Sequence, residues 1–135
     1  MNRIYRMKNE EFDNQKILYK YNDTKYYIMD GNGINTYEEY FDKLWSVFNF
    51  SDIPKGWHKN YHTEDEYMTD AKEITAEKVV FVIMHYNNFF KENLKEKEDI
   101  EDYYENYLLP YWDSEVEQVV KDGRRKDFNI YLVCD

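Results

Sequence analysis

The side chains best suited to chemistry in this sequence are carboxylates, and they gather in one short segment. Glu64, Asp65 and Glu66 stand together, and Asp70 and Glu73 follow at helical spacing. On one continuous helix Glu66, Asp70 and Glu73 fall at i, i+4 and i+7, a single acidic stripe. Paired carboxylates can move protons or hold cations by charge-assisted hydrogen bonds. Helix-dipole complementation accounts for the first turn. It does not account for Asp70, whose like charge four residues after Glu66 costs an isolated helix about 0.2–0.5 kcal/mol. A basic partner would turn that repulsion to use. Trp57 and Tyr61 precede the stripe and have the character of interface anchors, with Asn60, Glu64 and Asp65 expected on the rim.

Composition points the same way. The 135 residues carry 28 acidic against 18 basic side chains, a formal charge of -10, which repels nucleic acid and anionic lipid and attracts basic proteins. A chain of this length makes one ordinary domain, and 15 Tyr, 8 Phe and 3 Trp supply a core without disulfides or metal. The single Cys134 excludes an intramolecular disulfide. The opening Met1-Asn2-Arg3-Ile4-Tyr5-Arg6 has no signal-peptide stretch, and no segment is apolar enough to span a membrane. A cytoplasmic protein is expected, monomeric, and from an AT-rich bacterial genome to judge by its Lys, Asn, Tyr and Ile content.

Catalytic patterns are missing. There is no glycine-rich phosphate loop and no serine elbow, and Cys134 has no activating neighbours in sequence. The chain is expected not to be an enzyme and to need neither cofactor nor metal. His58, His62 and Glu66 would share a helix face only if all three were helical, and Gly56 and a helix start at Thr63 place both histidines in loop. The alternative function is a small-ligand or enzymatic site at the carboxyl ends of the strands, near Asp30, His85 and Asn88.

The elements that must position these groups read as follows. Residues 1–15 are polar and irregular, and residues 16–21 and 25–29 read as strands around a turn. Thr36 with Glu39 is a capping box, and Tyr37, Tyr40, Phe41, Leu44, Trp45 and Phe48 form the stripe of a helix. Thr63 with Glu66 is a second capping box, opening a helix with Tyr67, Met68, Ala71 and Ile74 inside. Residues 79–84 and 128–134 do not alternate and read as central strands of a parallel sheet. After Pro110 a helix carries Trp112, Val116, Val119 and Val120 inward and ends at Gly123, with Arg124, Arg125 and Lys126 beyond. The class is α/β.

Residues 27–31, Ile34, Thr36, Glu39, Tyr40, Phe41 and Leu44 resemble the opening strand, turn and first helix of the barstar family of ribonuclease inhibitors. Residues 64–71 resemble its acidic second helix, with Glu66 and Asp70 at the places of the two carboxylates used on the ribonuclease. In that register Glu64 stands at the motif asparagine and Tyr61 at a loop aromatic. In another, Asn60 takes the asparagine place and the loop carries an insertion. Thr69 stands where an aromatic is usual, and residues 1–25 and 91–105 have no counterpart. The resemblance spans residues 26–134. It implies a three-stranded parallel sheet with helices packed around it, to which the 1–25 extension can add one strand, no cofactor, and an intracellular inhibitor or immunity protein acting on a basic ribonuclease or related toxin.

Overall fold

The computed structural model describes all residues, 1–135. Four parallel strands form one sheet in the order β1-β4-β3-β2, with β1 at Ile4–Lys8, β2 at Lys25–Asp30, β3 at Lys78–Met84 and β4 at Asp127–Cys134. β3 is central because its β-branched and aromatic run suits burial on both faces. Phe81 pairs with Tyr27 on one side and Ile130 on the other, and is fully buried.

The faces divide by the alternation of strand side chains. Val79, Phe81 and Ile83 join the main core beneath the helices, whereas Val80 and Val82 join a smaller cluster with Val133 on the opposite face. That second face is covered by Phe12 of α1 (Asn9–Gln15) and by Ile17 of a 3-10 turn.

The N-terminal extension thus does add one strand, but at residues 4–8, not 16–21. Residues 16–21 instead hold the turn at Ile17–Tyr19. Both segments are short mixtures of apolar and basic residues, for which periodicity cannot decide strand from turn. Pairing decides it. Residues 4–8 take the free edge of β4, Ile4 packing into the main core and Met7 into the smaller one.

α2 (Tyr37–Phe48) opens on the expected capping box: the Glu39 N–H donates to Thr36 Oγ1 at 3.2 Å and the Thr36 N–H to Glu39 Oε1 at 3.1 Å. Its stripe buries Tyr40, Phe41, Leu44 and Phe48. We expect Thr36→Ala to cost about 1 kcal/mol of stability in urea unfolding; an unchanged midpoint would show that packing alone holds this end.

α3 (Tyr61–Met68) starts three residues earlier than a Thr63 cap would allow. Asn60 is the N-cap, its Oδ1 accepting the Thr63 N–H at 2.9 Å, and Thr63 is buried. His62 is therefore helical rather than in loop. The helix also stops early. Asp70 lies in the following turn, where its Oδ1 accepts the Lys72 N–H at 2.8 Å, and Glu73 accepts from the backbone N–H and the hydroxyl of Ser51. The continuous stripe of Glu66, Asp70 and Glu73 is not formed.

From α4 (Leu94–Tyr103) the chain stays helical through π-turns at Tyr104–Leu108 and Tyr111–Glu115 to α5 (Val116–Val119). The π-turns flank Pro110, which has no N–H to give an α-helical bond and displaces the ladder around it. Trp112 and Val116 are buried as expected, but Val119 and Val120 are exposed because the helix ends there. Gly123 is not a left-handed cap; Asp122 has the positive φ. Glycine is required at 123 because a Cβ would lie 2.3 Å from the Val116 carbonyl oxygen. No helix is long and apolar enough to cross a membrane.

Candidate functional site: an acidic, aromatic groove beside a buried glutamate

α3 lies between α2 on one side and the α4 helical run on the other, so its side chains divide between interior and surface. Glu64, expected on a binding rim, points inward and is completely buried. Its Oε1 accepts the Tyr37 hydroxyl at 2.7 Å and its Oε2 the Tyr40 hydroxyl at 2.6 Å; the Tyr40 and Tyr104 hydroxyls are themselves 2.6 Å apart. Burial pushes the Glu64 carboxyl up to about 7, the Asp65 and Glu96 charges adding to the effect while the two tyrosine hydrogen bonds oppose it. The Tyr40 and Tyr104 phenols are driven well above their ordinary value, by burial first and by Glu64 next. Three phenols around one carboxyl make a satisfied polar island within the core.

The outward side of the same helix is a different environment. Tyr61, His62 and Asp65 of α3 face Asp99, Asp102 and Tyr103 of α4 and Tyr107 of the first π-turn across an open groove of about 480 Å³. The Tyr103 hydroxyl donates to Asp65 Oδ1 at 2.8 Å and bridges the two walls. The Tyr103 and Tyr107 rings lie 12° from parallel, with centroids 6.5 Å apart. Tyr107 is 61% exposed. Asp102 accepts from the neutral Asn106 amide at 2.6 Å, and Asp99 pairs with Lys95 at 2.6 Å on the exposed side of the helix. No Lys or Arg lines the groove.

The remaining expected contact residues distribute around this centre. Trp57, 41% exposed, sits on the loop before α3 with its ring 6.4 Å from that of His62. His62 Nε2 stands 3.9 Å from Glu66 Oε1. The structure holds no cluster of three or more His, Cys, Asp or Glu side chains able to bind a metal. Glu66 and Asp70 line a separate groove of about 510 Å³ on the far side of α3, together with Lys72, Arg124, Arg125 and Lys126. Neither carboxylate is ion-paired with these cations, of which Arg124 stands 3.9 Å from Glu77 and Arg125 pairs with Glu117. Tyr61 and Asp65 are the expected residues that the structure does bring together with new partners; Glu64 and Glu73 are engaged internally.

At the carboxyl ends of the strands, His85 Nδ1 lies 2.6 Å from Asp135 Oδ1. Asn88 donates to Asn32 at 2.7 Å, and Asp30 accepts the Asn32 N–H at 2.9 Å. These polar groups close the loops on one another.

Sequence reasoning missed Asp99, Asp102 and Tyr103, which fall in the 91–105 stretch without a resemblance to carry it, and Tyr107 just beyond it. It also read Tyr37 and Tyr40 as plain apolar stripe. A usable signal was present there, since a buried phenol needs an acceptor, and Glu64 is the carboxylate three places before the buried Tyr67.

Fold and site together define a parallel α/β domain with an acidic, tyrosine-walled groove against its third helix. Comparison with protein-family models, with curated proteins and with solved structures finds no match to this chain.

Proposed function

We propose that this protein is a barstar-like inhibitor or immunity protein that binds a basic protein, a ribonuclease or related toxin, through the acidic surface around α3, and that it has no catalytic role of its own. The observation that carries this reading is the groove, whose walls bear Asp65, Asp99 and Asp102 with no Lys or Arg lining it. Two of these carboxylates, Asp65 and Asp102, have only neutral hydrogen-bond partners within the chain. A cationic surface would meet charge that the chain leaves uncompensated, and the overall charge of -10 would steer its approach. Further support comes from element order: strand, helix, helix, strand, helices, strand over β2 to β4 follows the order that the resemblance implies.

In this reading Trp57, Tyr61 and Asp65 form the centre of contact, with Asn60 beside them at the helix start and Glu66 at the edge toward the second groove. Asp70 lies at the margin, because Lys72 and Arg124 share its groove. Calorimetry of the purified protein with basic microbial ribonucleases, and with any toxin encoded beside it, tests the proposal. Nanomolar affinity that weakens as salt rises from low to physiological strength is expected. Asp65→Asn is expected to cost more than about 2 kcal/mol of binding, the mark of a hot spot, and Asp70→Ala less. No binding across the panel would remove the inhibitor reading.

A further inference from the structure

The groove is built for more than negative charge. Its long wall carries Tyr107, exposed and backed one helical turn earlier by the nearly parallel ring of the buried Tyr103, and its floor is closed by the bond from Tyr103 to Asp65. That bond occupies one oxygen of Asp65 and fixes the Tyr103 ring. Asp102 is held in the same way, by Asn106 through Oδ1. In each carboxylate the other oxygen, Oδ2, makes no hydrogen bond within the chain. The groove therefore presents two oriented acceptors beside a flat aromatic ledge.

Chemistry narrows what fits. A planar guanidinium can stack on a tyrosine face while its edge donates to carboxylate oxygens, and it is more weakly hydrated than an ammonium, so less is lost when it leaves water for the groove. An ammonium can satisfy the carboxylates but has no plane to lay on the rings. A neutral planar group can stack but brings no charge to Asp65 and Asp102. We propose that the groove between α3 and α4 is a receptor site for a single arginine side chain of the basic partner, with Tyr107, backed by Tyr103, as the stacking wall and Asp65 and Asp102 as the acceptors. This deepens the basic-partner reading above and rests on it for the source of the arginine, but the site itself is testable without any partner.

The probe is the capped tripeptide Gly-Arg-Gly, titrated into the full chain and followed by amide chemical shifts, with the citrulline and lysine tripeptides as controls. Citrulline has the shape of arginine without its charge. The arginine peptide is expected to move the amides of Asp65, Tyr103 and Tyr107, and to bind at least about threefold tighter than either control, the effect of one exposed cation–π contact. Tyr107→Ala and Asp102→Asn should each weaken it by about the same factor; both side chains are exposed, so neither change threatens the fold.

Equal shifts from citrulline or lysine, shifts centred on the groove beside Asp70, or no shift at all would overturn the assignment. The two proposals fail separately. A basic ribonuclease that binds tightly while the peptide moves nothing in the groove leaves the inhibitor reading and removes the arginine site. A peptide that binds as described while no ribonuclease or toxin does leaves the site and removes the inhibitor reading.

Discussion

The Glu64→Gln variant is expected to be more stable than the natural chain at pH 8 by about 3 kcal/mol, and equal to it below pH 4.5. Glu64 has an ordinary value of 4.5 and is pushed up to about 7 by burial. Below 4.5 the group is protonated in both folded and unfolded chains, so its ionisation contributes nothing to the difference. Between 4.5 and 7 the unfolded chain ionises freely while the folded chain retains its proton. Stability therefore falls with rising pH across that window, by up to about 1.4 kcal/mol per unit, and levels off above 7.

An amide satisfies the same neighbours without a charge. Its oxygen can accept from Tyr37, and its N–H can donate to Tyr40, which then donates to Tyr104; the 2.6 Å contact between those two hydroxyls allows either direction. Urea unfolding of both proteins from pH 4 to 8 measures the difference directly. Parallel curves would mean that Glu64 ionises at the same pH in the folded and unfolded chains. Tyr40→Phe removes a hydrogen bond that favours the charged form, so in that variant the falling limb should extend above pH 7.

The second large effect concerns Trp112, which anchors the end of α3 from the far side. It is 1% exposed, its Nε1–H donates to the Met68 carbonyl at 3.0 Å, and the Lys126 ammonium stands 4.8 Å from the centre of its ring. Lys126 is itself nearly buried, donates to the Ala76 carbonyl, and is held below its ordinary value by burial. Trp112→Ala opens a cavity, strands the Met68 carbonyl and removes the ring from beside a buried cation. We expect a loss of about 3–5 kcal/mol in chemical denaturation. Trp112→Phe refills much of the space but not the donor, and should retain a cost of about 1–3 kcal/mol for the unpaired carbonyl. Equal losses in the two variants would assign the effect to the hydrogen bond, and a negligible loss in both would show that the end of α3 holds without it.

How far each element was legible follows from the strength of its local pattern. α2 was legible because twelve residues repeat one period and carry their own cap. β3 was legible because a run of Val, Phe and Ile between polar segments suits little but a central strand. β1 and the turn at residues 17–19 were not, because each has only a few apolar residues and the choice between them depends on which can reach the edge of β4. For α3 the pattern places Tyr67 and Met68 correctly inside, but it gives the wrong ends, leaves Glu64 on the rim where it is buried, and puts Ala71 inside where it is exposed. Asn60 and Thr63 are both competent caps, and the structure makes Asn60 the N-cap and buries Thr63 in the first turn. The early stop at Met68 then dissolved the stripe on which Asp70 and Glu73 depended.

The sequence by itself determined the α/β class, the parallel strands at 25–29, 79–84 and 128–134, each to within a residue, the capped helix between the first two, and the strongly acidic character. These are local or summed properties: periodicity over a dozen residues, β-branched runs and net charge. Tertiary structure decided which carboxylates are available. Glu64 and Asp65 are adjacent in the chain, yet one is sealed among three phenols and the other opens onto solvent, because successive helix positions differ by about 100° and only part of the circumference of α3 faces the core. It also brought Asp99, Asp102, Tyr103 and Tyr107 opposite Tyr61 and Asp65. Residues nearly forty positions apart form one groove only after α3 and α4 are laid side by side over the same sheet, and no pattern within either helix records its neighbour.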